Sequence, residues 1–275
     1  MTSFEIDGLF FPEIELFKQA VRTTPPFSTW FDYALGLNRI GFDLMKRATV
    51  ALADRRLFTL YGHFVRVSQT FQGAVLLAER GMVPNARILL RSGAESAIAI
   101  CALAKNDKLI DQMVAAHHLM QRKYARLVVN SSEYRAHYTE QEIAEMQVTI
   151  ASVDALEASS GKKLKDINWA DVAAEHCFDL YNLLYRMLSS DGTHATVNSL
   201  NRLLEVDSNG QIRAFKVAPD QDGLVEVLSA ACLLFIWAAG PFAAAFDRPD
   251  TTSELSKQLK LFAELPGAFP RAAAP

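Results

Sequence analysis

Two clusters of residues in this chain have the types and spacing to do chemistry. Arg87, Arg91 and Glu95 recur at intervals of four, which puts them on one face of a helix. The stretch from Ile88 to Ala104 around them is apolar almost all round, so that helix is expected to be central. An Arg91/Glu95 pair there either pins two helices together from inside or lines a polar pocket. The second cluster is Tyr185-Arg186-Met187-Leu188-Ser189-Ser190-Asp191-Gly192-Thr193-His194. Helical spacing places Tyr181, Tyr185 and Ser189 on one face and Asn182, Arg186 and Ser190 on the next. Gly192 is a natural helix stop, which leaves His194 at the start of the following helix, where backbone N–H groups favour an anion. Arg, Ser and His side chains converging there suit a phosphate or carboxylate. A polar helix–helix corner with His194 as a cap accounts for the same residues.

Other chemistries find little support. His117 lies on an apolar stripe of Ile110, Met113, Val114, Met120, Tyr124, Leu127 and Val128 and reads as a core histidine. His118 points elsewhere, and His63, His137 and His176 have no partner at ligand spacing, so neither a metal nor any other cofactor is expected. Cys101, Cys177 and Cys232 are far apart, odd in number and flanked by apolar residues. They read as small buried hydrophobes, with no disulfide framework. No phosphate-binding glycine loop and no nucleophile elbow occurs. The basic runs 121–126 and 162–165 read as solvated faces, and a net charge of −3 excludes a strongly basic nucleic-acid-binding domain.

The elements that must position these residues are helices. At about 150 residues per domain, the 275-residue chain has room for one large domain or two small ones. Half its residues are hydrophobic, enough for a sizeable core, and 13 Gly with 10 Pro are too few for a turn-rich β-fold. Periodicity predicts helices over 12–21, 29–54, 56–80, 84–104, 107–130, 139–159, 169–176, 178–190, 194–204, 222–246 and 251–264. Expected caps are Ser28, Asp107 and a Thr139/Glu142 capping box. An Asn209-Gly210 turn between short alternating runs predicts a β-hairpin near 205–217. The expected architecture is all-α, a single bundle of nine to eleven helices over 1–265, followed by a disordered tail from 266 to 275. The run from Val227 to Phe246 is uncharged and long enough to span a bilayer, but Gly240-Pro241 and the lack of flanking basic residues favour a buried core helix. No stable membrane insertion is expected. The acidic N-terminus does not resemble a secretory signal, and the expected location is the cytoplasm.

In both clusters the sequence resembles a large bacterial family of unknown function, all-helical, marked by an LLRS-x-x-E helix and a later Y-x-x-x-YR-x-LS segment followed by a His. The matches here are Leu89-Leu90-Arg91-Ser92-Gly93-Ala94-Glu95, then Trp169, Tyr181, Tyr185-Arg186, Leu188-Ser189 and His194. That family points at residues rather than at a reaction. A more distant likeness is to HEPN domains, helical bundles that often act as metal-independent ribonucleases in defence and toxin–antitoxin systems. That likeness implies His194 as general acid/base and Arg186 stabilising the phosphorane, usually across a homodimer. Seven residues separate Arg186 from His194 here, a wider gap than the HEPN signature has. Two readings therefore stand. One is a non-catalytic protein that binds a small anion, or makes an interaction, around Arg91, Glu95, Tyr185, Ser189 and Ser190. The other is an RNA-cleaving enzyme using Arg186 and His194.

Overall fold

The computed structural model describes residues 13–192, 197–216 and 218–268. Its helices are α1 (Glu13–Thr23), α2 (Phe27–Arg47), α3 (Arg55–Glu79), α4 (Val83–Leu103), α5 (Lys108–Val129), α6 (Ser132–Arg135), α7 (Glu140–Ser160) and α8 (Trp169–His176). A π-helical turn, Leu180–Tyr185, leads into α9 (Arg186–Gly192) and α10 (Val197–Asn201). Strands β1 (Leu204–Val206) and β2 (Ile212–Phe215) come next, then α11 (Leu224–Ala245) and α12 (Pro249–Glu264). The fold is all-α with a small antiparallel hairpin, as the periodicity predicts. Two compact units are present, one from Met1–Lys105 with Ala170–Pro275 and one from Asn106–Trp169.

In the first unit α4 and α11 are the central helices, and α3 packs against both. Their composition explains the position. Every residue from Ser96 to Leu103 is buried, and Leu228 to Ile236 is buried throughout. Phe64 of α3 stacks on Phe242 of α11 with ring centroids 4.0 Å apart, and Phe235 lies 4.8 Å from Phe71. Close approach of α3 and α4 requires Gly93, where an added Cβ would come within 2.6 Å of Thr70 Cγ2. Among the described residues α11 is the helix long and apolar enough to cross a membrane, yet 78% of its most apolar window is buried inside the protein.

Several boundaries differ from the sequence expectation. The helix expected over 29–54 stops at Arg47, where Ala48 turns extended at ψ 120°, and Asp54 caps the next helix, accepting from the Leu57 N–H at 2.9 Å. Ser28 is not a cap. The helix already begins at Phe27, and the Pro26 carbonyl accepts from the Trp30 N–H. The Asp107 side chain does not cap α5, and Asn106 Oδ1 accepts from the Lys108 N–H in its place. The hairpin carries a five-residue loop over 207–211 rather than a two-residue turn. Asp207 Oδ1 accepts from the Asn209 and Gln211 N–H groups, and Gly210 alone takes the left-handed backbone, at φ 78°. Of the expected tail, the Pro266 carbonyl accepts from Trp30 Nε1 at 2.9 Å, and residues 269–275 lie outside the described residues.

The second unit is α5, α6 and α7, with α5 packed on α7. The Thr139/Glu142 capping box forms with both reciprocal hydrogen bonds. The middle of the apolar stripe on α5 is not buried. His117 is exposed, as are Val114, Met120, Tyr124 and Leu127; of the stripe, Ile110 and Val128 are buried, together with Leu119, Arg122 and Ala125 outside it. Arg122, expected on a solvated basic run, decides this rotation. Its guanidinium donates to Asp154 at 2.8 Å and to Glu157 at 2.6 and 3.1 Å, and turning α5 toward its apolar stripe would break those bonds. Those bonds hold the Glu157 carboxyl down to about 2, helped by the Leu164 N–H.

Candidate functional site

Arg91 and Glu95 lie one turn apart on α4 and meet at 2.8 Å, as their spacing predicts. Facing them is the segment that runs from the π-helical turn into α9. In that turn the Arg186 N–H reaches back five residues to the Tyr181 carbonyl, widening the helix by one residue. Tyr181 and Tyr185 stack there at 4.8 Å with planes 19° apart, and Ser189 Oγ donates to the Tyr185 carbonyl at 2.6 Å.

Arg91 joins the two segments. Its Nε donates to Ser189 Oγ at 2.6 Å, one terminal nitrogen bonds Glu95, and the other bonds the Tyr185 hydroxyl. The guanidinium carbon sits 3.6 Å from the Tyr185 ring centroid, within cation–π range. Tyr185 in turn donates to Glu95 at 3.4 Å. Burial pushes the Tyr185 phenol above its ordinary value, against the pull of the Arg91 charge. The phenol therefore stays protonated and able to donate. The Arg91 side chain is 14% exposed and that of Glu95 33%, so the cluster is half-buried. Its three protein bonds use three of the five guanidinium N–H groups. The arrangement pins α4 to the 180–192 segment and keeps an edge toward solvent.

The structure brings Arg91, Glu95, Tyr185 and Ser189 together, and it separates the others. Arg87, on the same helical face, is buried at the start of α4 and pairs with Glu226 of α11 at 2.6 Å. Spacing gives no sign of Glu226 as a partner, because it stands on another helix 139 positions along the chain. Arg186 is exposed, its Nη1 3.4 Å from Asn182 Oδ1, on the face that helical spacing assigns it. Ser92 faces away from the cluster and accepts from Arg66 at 3.0 Å. His194 and the Ser190 side chain lie outside the described residues. Among the described residues no three His, Cys, Asp or Glu side chains are grouped to hold a metal ion.

The segment that holds all four residues of the cluster is also the segment that carries a family signature. A sequence model for the family of unknown function DUF5677 matches residues 57–212, more than half of the chain. The chain belongs to this family. The matched span runs from α3 through the hairpin loop, so the family's region includes both halves of the Arg91 clamp and the whole of the second unit. No curated protein and no solved structure matches the chain.

Proposed function

We propose that this member of the DUF5677 family is a non-catalytic binding protein that takes a small oxyanion, a phosphate or a carboxylate, at the solvent edge of the Arg91 cluster. The observation that carries the reading is a guanidinium held in place by three side chains from two segments while remaining 14% exposed. A cation fixed before binding loses little rotamer freedom when an anion arrives. Two N–H groups of Arg91 are not used by those bonds, and the exposed Arg186 adds positive charge on the adjoining helical face. Glu95 offsets the Arg91 charge, which favours an anion of low charge.

Thermal unfolding in phosphate, sulfate and acetate at constant ionic strength tests this. The melting temperature of the wild type should rise with one of these anions, and that increment should vanish in Arg91→Lys, which keeps the charge but not the planar fork. Equal increments in both proteins, or none in either, would sink the reading.

A second reading has one observation in its favour: Arg186 points to solvent, with a long contact to Asn182, where a phosphate could meet it. It is the metal-independent ribonuclease that the HEPN likeness implies, with Arg186 and His194 as its catalytic pair. Purified protein in EDTA should then cleave RNA, and Arg186→Ala and His194→Ala should both lose cleavage at unchanged melting temperature. Absence of cleavage over varied RNAs leaves the binding reading.

A further inference from the structure

Cys101 and Cys177 are 76 positions apart in the chain but neighbours in the first unit. Cys101 is in the last turn of α4 and 7% exposed. Cys177 directly follows α8: its N–H bonds the Ala173 carbonyl at 2.8 Å, and its own carbonyl accepts from Tyr181. The Cys101 and Cys177 thiols are in hydrogen-bond contact. Both cysteines line a cavity of about 530 Å³ walled by Phe178, Leu180, Trp237, Pro241 and Leu259. Pro241 lies inside α11 and has no N–H to give the Trp237 carbonyl. Cys232, by contrast, is fully buried in α11, and burial pushes its thiol up.

We propose that Cys101 and Cys177 form a reversible dithiol/disulfide site, oxidised by a small disulfide of the glutathione class that enters this cavity. The inference does not depend on the anion-binding reading. The Cys177 hydrogen bond holds the Cys101 thiol below its ordinary value against burial, and the Lys105 charge acts in the same direction. Both residues line the cavity, and Cys101, beside the Lys105 charge, is taken as the attacking sulfur. Its thiolate bonds one sulfur of the incoming disulfide, the S–S bond of that reagent breaks, and the first thiolate leaves. The hydrogen bond to Cys101 is also the main reason the Cys177 thiol is pushed up, with burial second. Once Cys101 is in the mixed disulfide, its negative charge and that restraint are gone. Cys177 then loses its proton to the departing thiolate and attacks the Cys101 sulfur, releasing the second thiolate, which takes up from solvent the proton that Cys101 released on ionising. In sum, two cysteine thiols are oxidised by two electrons, and one small disulfide is reduced to two thiols. The new bond closes a covalent loop that contains the whole Asn106–Trp169 unit.

The test uses the full wild-type chain in glutathione buffers of stepped disulfide-to-thiol ratio, followed by alkylation, free-thiol counting and peptide mapping. Two of the three thiols should disappear together, the Cys101 and Cys177 peptides should be linked, and Cys232 should remain free. The closed loop should migrate faster on a non-reducing gel. Cys232→Ala should behave as wild type, and Cys177→Ala should stop at a glutathione adduct on Cys101. Three free thiols at the most oxidising ratio would overturn the proposal, as would a stable adduct on wild-type Cys101 without a cross-link, or a bond to Cys232. Mapping of the wild type decides this even if a cysteine variant does not fold.

Discussion

Arg91 has three protein partners, so the loss of one does not leave it a bare buried charge. Removing a sole partner from a buried ion costs about 3–5 kcal/mol. Glu95→Ala leaves the Ser189 and Tyr185 bonds, and solvent reaches the site. Its expected cost is about 1–2 kcal/mol, read as a fall in the unfolding free energy in urea. Arg91→Ala strips partners from Glu95, Tyr185 and Ser189 at once and should cost more than Glu95→Ala. Equal losses in the two variants would show that Ser189 and Tyr185 contribute nothing to holding Arg91. Arg91 and Glu95 were legible as a pair from their spacing alone. Tyr185 and Ser189 were expected at the same site through the two paired family motifs, but spacing makes them only a face of another helix and does not say which groups bond.

At the scale of elements, α5 shows how one buried cation overrides a pattern. Its apolar stripe predicts one face, and the Arg122 bonds to Asp154 and Glu157 turn another inward. Periodicity counts apolar residues and gives no weight to an Arg whose carboxylate partners lie on a helix over thirty residues away. The Glu157 carboxyl titrates at about 2 in the folded protein against an ordinary 4.5. A depressed carboxyl value stabilises the fold fully above the unfolded value and loses that contribution as pH falls through the folded one. Wild type should therefore be more stable than Glu157→Gln at neutral pH, and the gap should close as pH drops from 4.5 toward 2. Urea unfolding at stepped pH checks this, and a gap independent of pH would contradict it. The π-helical turn at Leu180–Tyr185 is likewise invisible to periodicity. The turn with one extra residue still keeps Tyr181 and Tyr185 on a shared face.

At the scale of the whole molecule, α11 organises the first unit. Phe235 is 1% exposed and lies against Phe64 and Phe71, so Phe235→Ala should cost about 3–5 kcal/mol. A loss under about 1 kcal/mol would mean that the site collapses around the deletion. A helix this apolar is also a membrane candidate by composition, and burial is what distinguishes the two cases. The protein should purify without detergent as a discrete species by light scattering. Dependence on detergent would instead place α11 in lipid.

By itself the sequence determined the all-α class, the central place of α4 and α11, the Thr139 capping box, the hairpin and the Arg91/Glu95 pair. Each rests on interactions within a few residues or on a bulk property such as apolar content, and these are written locally. Tertiary structure alone decided which face of α5 is buried, that Arg87 meets Glu226, that Arg91 reaches Tyr185 and Ser189, and that Cys101 meets Cys177. These contacts join residues from 32 to 139 positions apart. Their partners are chosen by how whole helices pack, and no spacing rule along the chain carries that choice.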